Sequence, residues 1–113
     1  MNLKTLTALR ASIKHWEENF AAETPEYAST RGEDCALCRM FFDQGPETPE
    51  CAGCPVSEKT GRTVCYGSPY HCAASNLKHW GSFPSNENRE QWRKAARDEV
   101  RFLRSLLPKT KRP

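Results

Sequence analysis

The two ends of this 113-residue chain, residues 1–23 and 85–113, contain no glycine and no cysteine, and no proline before Pro108. With none of the residues that break a helix, both ends are free to run as uninterrupted helices. No apolar run approaches the roughly 20 residues that a membrane-spanning helix needs. The N-terminus has no apolar block followed by a small-residue cleavage site; instead Lys4, Arg10 and Lys14 are spaced along a polar face. That start predicts a cytoplasmic protein, the cytoplasm of a host cell in the case argued below, where thiols stay reduced. Also missing are a Gly-rich phosphate loop, a His-x-Glu metal motif and a Ser or Cys nucleophile motif, so no enzyme activity and no small-molecule substrate are expected. There is no internal repeat and no low-complexity tract.

What is present is unevenly placed. All six Cys, all six Gly and six of the eight Pro fall between residues 24 and 84. Hydrophobic residues make up 37% and charged residues 27%, with 3 Trp, 3 Tyr and 5 Phe, which is lean for a globular protein but too apolar for disorder. The length is that of one small domain. The expected fold is therefore mainly α: a single domain over 1–113, with an N-terminal helix in 1–23 and a Cys/Gly/Pro-rich segment in 24–84. A C-terminal helix in 85–108 and a basic tail in 109–113 complete it. So few helical pieces around a small core need a staple.

Leu6, Leu9, Ile13, Trp16 and Phe20 recur at three- and four-residue steps, predicting a helix over 3–20 capped by Asn2 or Thr5. Past Pro84, Trp92, Ala96, Val100, Leu103 and Leu107 share a face, widened by Ala95, Phe102 and Leu106, which predicts a helix from 85–88 to 107. Glu99 interrupts that face, and since an unpaired buried carboxylate is costly, it should find a partner or sit at the rim. Asp34 is placed to cap a short helix over 35–42. Ser68-Pro69 should open another through Trp80, with Gly81 as its stop. Val64 is the centre of a possible brief strand within 60–67.

The cysteines form two pairs, Cys35-Ala36-Leu37-Cys38 and Cys51-Ala52-Gly53-Cys54, with 12 residues between them. Two CxxC pairs let four thiolates converge on one tetrahedral ion, which predicts a closed structural site for Zn2+ on Cys35, Cys38, Cys51 and Cys54. Cys65 is the alternate ligand. Cys72 reads as a reduced thiol, and His15 and His79 as solvated histidines. Placing Cys35 at a helix start should lower its thiol pKa. An iron–sulfur cluster is the alternative: Cys54-Pro55 is similar to the Cys-Pro of cluster ligands, and Pro55 removes an N–H that a zinc knuckle would point at sulfur. A disulfide framework is the bland alternative, disfavoured by a reducing compartment.

The net charge of +3 is unevenly spread: residues 24–57 carry two basic and six acidic groups, residues 85–113 nine and four. Arg93, Arg97, Arg101 and Arg104 follow a helical spacing, a stripe open either to an anionic partner or to a solvated face balanced by Glu90 and Asp98. Trp80 and Tyr70, with Tyr66 and Phe83, are candidate aromatic anchors for a protein partner, or core.

The order of motifs resembles a family of small cysteine-rich proteins encoded by phages and prophages. It rests on Ser12-Ile13-Lys14-His15-Trp16-Glu17-Glu18-Asn19, Cys35 with Cys38, Cys51-Ala52-Gly53-Cys54-Pro55-Val56, Thr60-Gly61, Cys65, Ser68-Pro69-Tyr70 and the ending Phe102-Leu103-Arg104-Ser105-Leu106-Leu107-Pro108. The resemblance implies a phage gene with no settled activity. The expected function is a zinc-stabilised module that binds and modulates a host or phage protein, with nucleic-acid binding as the alternative.

Overall fold

A computed structural model describes residues 1–109. Five helices follow one another: α1 Leu3–Ala21, α2 Ala36–Phe41, α3 Pro55–Thr60, α4 Tyr70–Ser82 and α5 Asn86–Ser105. Short 3₁₀ turns at Pro25–Tyr27 and Gly32–Asp34 join α1 to α2. The chain is mainly α, as its glycine-free ends require. Among the described residues none forms a strand, and none of the helices is long and apolar enough to cross a membrane.

Three long helices make the frame. Asn2 Oδ1 accepts the Thr5 N–H at 2.8 Å to start α1, and Ser85 Oγ accepts the Asn88 N–H at 3.1 Å to start α5. One tryptophan from each helix meets at the centre. Trp92 of α5 is fully buried, with the ring of Trp16 from α1 at 5.9 Å and that of Trp80 from α4 at 6.5 Å. Aromatic pairs at such separations add to an already large area burial.

The buried face of α1 is turned from the expected one. It runs through Thr5, Leu9, Ser12, Ile13, Trp16 and Asn19, while Leu6 and Phe20 lie half-buried at its edge. Two of the polar residues on this face, Ser12 and Asn19, meet backbone from the middle segment. Ser12 Oγ accepts the Leu37 N–H at 3.2 Å. Asn19 donates to the Ser29 carbonyl at 2.8 Å and accepts the Ser29 N–H at 3.0 Å, while its own carbonyl takes the Trp92 indole N–H at 2.9 Å. These bonds satisfy groups that would otherwise be costly to bury.

The middle segment differs from its expected form in three places. Residues 55–60, the start of the expected strand region among them, form helix α3, with Pro55 in its first turn and Gly61 as a left-handed cap at φ 72°. Cys35, not Asp34, flanks α2, and Asp34 instead accepts the Ser29 hydroxyl at 2.6 Å. Helix α4 runs through Gly81 and ends at Phe83, whose N–H bonds the His79 carbonyl at 2.8 Å.

Candidate metal centre

Each cysteine of the two pairs is set by a helix end or a tight turn. Cys35 precedes α2 and Cys38 lies in its first turn; Cys54 precedes α3. Cys51 and Cys65 both adopt positive φ, 62° in each case. A β-carbon in that region is strained by on the order of 1 kcal/mol or more, so both side chains are aimed by their turns rather than by an intrinsic preference. Between the pairs, the Cys51 N–H returns to the Phe41 carbonyl at 3.0 Å, and Gln44 donates to the carbonyl of Ala52 at 2.8 Å. The intervening loop is thereby closed at its base, and the second pair is laid beside the first. Gly53, at φ 86°, sits against the Phe41 ring, where a β-carbon would come within 3.3 Å.

The result brings five thiols to one cavity. Cys35, Cys38, Cys51, Cys54 and Cys65 line a space of about 30 Å³, walled further by Trp16, Leu37, Phe41, Val56, Tyr70 and Leu103. That volume holds one or two water-sized occupants. Cys72 stands apart, exposed on α4 and beside Asn76. All six cysteines are free thiols. Among the described residues no group of three or more His, Cys, Asp or Glu side chains stands at metal-holding geometry, so the five share a cavity without forming a closed coordination shell.

Burial in this cavity raises the thiol pKa values of Cys35, Cys38 and Cys54. The Cys35 thiol is pushed far above its ordinary range, first by its hydrogen bond to Cys38 and then by burial, with the Cys38 N–H opposing. This reverses the lowering expected of a helix start: the shared thiol proton and lost hydration outweigh the terminal N–H groups. At Cys38, the bond from Cys35 lowers the pKa, but the bond to Cys65 and burial carry it up to about 12. Burial likewise raises Cys54, against the Ser57 and Val56 N–H groups that point at its sulfur. Those two donors are the knuckle contacts that Pro55 was expected to remove; the chain turns into α3 and supplies them one and two residues later.

Glu99 completes the wall, and this role was not legible in the sequence. It is 3% exposed, it borders the same cavity, and its Oε1 has no hydrogen-bond partner among the described residues. The expectation of a partner or a rim position is therefore wrong. Burial first, and the nearby Cys35 second, hold its pKa at about 8.

The candidate partner residues divide. Trp80, 2% exposed, is core and presents no surface. Tyr70 is half-buried, donates to the Thr30 carbonyl and meets the Trp16 ring edge-on. Of the arginine stripe, Arg93 lies 4.4 Å over the Phe20 ring and pairs with Glu90, and Arg104 pairs with Glu17 at 2.7 Å. Lys94 pairs with Asp98. Arg97 and Arg101 are exposed, and among the described residues neither forms an ion pair. Tyr66 and Phe83 are exposed; Tyr66 is stacked on His71, and Phe83 meets His79 at a tilt of 50°. His15, expected to be solvated, is half-buried with its ring Nε2 at 2.9 Å from the Ser29 carbonyl. Lys111 and Arg112 of the basic tail lie outside the described residues. Comparison with family models, with curated proteins and with solved structures yields no match.

Proposed function

We propose that this chain is a metal-stapled helical binding module in which Cys35, Cys38, Cys51 and Cys54 hold one structural Zn2+, with Cys65 as the adjacent fifth thiol. The observation that carries it is a single small cavity lined by five thiols and by an unpartnered buried carboxylate. A cation would join the thiolates and offset the buried carboxylate, which otherwise has no counter-charge among the described residues lining this cavity. The volume favours one ion over a multi-atom iron–sulfur cluster, and N–H donors to the Cys35 and Cys54 sulfurs suit thiolate ligands. The two six-residue helices carrying the ligands are too short to hold themselves. The ion's role in this proposal is to fix them.

The module acts by binding another protein, in keeping with the small phage-encoded proteins that the sequence resembles; a component of a host system is the natural target. Two of the four stripe arginines, Arg93 and Arg104, are paired with Glu90 and Glu17, which leaves Arg97 and Arg101 of that stripe for phosphate. That is too few for strong binding at physiological salt. The exposed large apolar residues Tyr27, Phe42, Tyr66 and Phe83 offer anchors instead. Elemental analysis of protein purified without added metal should give about one zinc per chain, and a colourless solution. A brown protein with visible absorbance transfers the site to iron–sulfur chemistry. Capture from host lysate with nuclease should retain a defined protein partner; loss of all binding on nuclease treatment would favour the nucleic-acid reading.

A further inference from the structure

On the outer side of the thiol cavity lies an open groove of about 560 Å³. Cys38 and Cys65 line both the groove and the inner cavity, whereas Cys35, Cys51 and Cys54 line the inner cavity alone. The groove is otherwise walled mainly by Phe42, Val64, Tyr70 and His71, with Arg39 at its side. Two of the five sulfurs are therefore accessible from outside, and the same two also reach the inner cavity, where they face a common space of about 30 Å³. A four-coordinate ion uses four thiolates, so five thiols leave one over. Cys65 is that one: it belongs to neither CxxC pair and sits on a turn of its own.

We propose that Cys38 and Cys65 are a peroxide-reactive pair at the floor of this groove, whose closure to a disulfide withdraws one ligand from the metal site and releases the ion. The proposal rests on the zinc reading above. Coordination holds Cys38 as thiolate, the nucleophilic form. Its sulfur attacks one oxygen of a hydroperoxide; the O–O bond breaks, hydroxide leaves, and Cys38 becomes a sulfenic acid. The Cys65 sulfur then attacks that sulfur, the S–S bond forms, the S–O bond breaks, and the departing hydroxide takes the Cys65 proton as water. The peroxide gains two electrons and each cysteine sulfur loses one. Cys35, turned inward, does not meet the oxidant first, which sets this pair apart from the CxxC pair in α2.

The test uses the full chain loaded with zinc and treated with one equivalent of hydrogen peroxide. Zinc release is followed with a chromophoric chelator, and the cross-link is mapped by mass spectrometry without reduction. The expected result is one zinc released per chain and a 2 Da loss joining the Cys38 and Cys65 peptides. Cys65→Ser should bind zinc with unchanged stoichiometry, form no cross-link and accumulate a Cys38 sulfenic acid that dimedone traps, while Cys72→Ser should behave as the parent. Absence of a trapped sulfenic acid at Cys38 in Cys65→Ser would overturn the proposal, as would a cross-link mapped to Cys35–Cys38 or Cys51–Cys54. Failure of Cys65→Ser to bind zinc would also overturn it, making Cys65 a ligand rather than the spare thiol. A chain that carries no zinc but still joins Cys38 to Cys65 would refute the metal reading and leave the reactive pair standing.

Discussion

The frame of α1, α4 and α5 and the thiol-bearing middle are held by different physics. The frame buries aromatic and aliphatic area around Trp92, an interaction that is non-directional and insensitive to redox state or pH. The middle has two helices of six residues and a run of tight turns, and its interior is sulfur with one carboxylate. It depends on protonation state, on whatever joins the thiols, and on polar bonds from α1. One half of the molecule is stable by volume and the other by chemistry.

The largest separation of the two halves should come from withholding the proposed zinc. In chelator, or in Cys54→Ser, protection of amides in 35–66 from hydrogen exchange should fall by orders of magnitude while the centres of α1 and α5 stay protected; equal loss everywhere would mean one inseparable unit. Trp92→Ala attacks the other half. It should cost about 3–5 kcal/mol, read as a lowered urea midpoint in both the zinc-loaded and the zinc-free chain. A smaller cost confined to the zinc-free chain would move the centre of the frame elsewhere.

Asn19→Ala cuts the bond between the halves. Since it leaves the Ser29 N–H and carbonyl unpartnered, a loss of about 1–3 kcal/mol is expected in thermal melts. In the metal-free chain, Glu99 gives the middle a pH dependence of known sign. Its folded pKa, raised from 4.5 to about 8, means that the native state holds a proton the unfolded chain releases. That stabilisation is complete below about pH 4.5 and is lost as pH rises toward 8, at up to about 1.4 kcal/mol per pH unit. Denaturant titrations from pH 5 to 8 should show this slope in the parent and lose it in Glu99→Gln; a slope that persists would assign the proton to another group. The smallest effect belongs to Cys72→Ser, exposed on the outer face of α4 and away from the thiol cavity, at about 0.5 kcal/mol or less.

The long helices were legible because local periodicity carries them. Both N-caps, the tryptophan positions and the overall α class follow from residues within a turn of one another. The turn of α1 toward Ser12 and Asn19 was not, since those polar residues are met by the backbone of Leu37 and Ser29, which arrives 10 to 25 positions later. Helix α3 was missed although Pro55 and Gly61 bracket it with the start and stop signals of a helix; a six-residue segment with Val56 as its main apolar anchor has no period to read. Spacing alone pointed to a meeting of the two CxxC pairs, whereas Cys65, expected only as a replacement for one of the four, lines the same cavity as a fifth thiol. Glu99 showed itself only as an interruption of an apolar face, because the thiols it borders come from sequence 34 to 64 positions away.

The loop between the two cysteine pairs has a practical consequence. Residues 42–50 are all exposed, and the base of the loop is tied by the Cys51–Phe41 backbone bond and the Gln44 side chain. Lengthening a loop already closed at its neck adds only chain entropy, about 0.6 kcal/mol for each doubling. Residues 46–49 are therefore a natural insertion point for an affinity tag or a fluorophore-bearing peptide. A reporter placed there would sit just outside the thiol cavity and leave the tryptophan frame untouched.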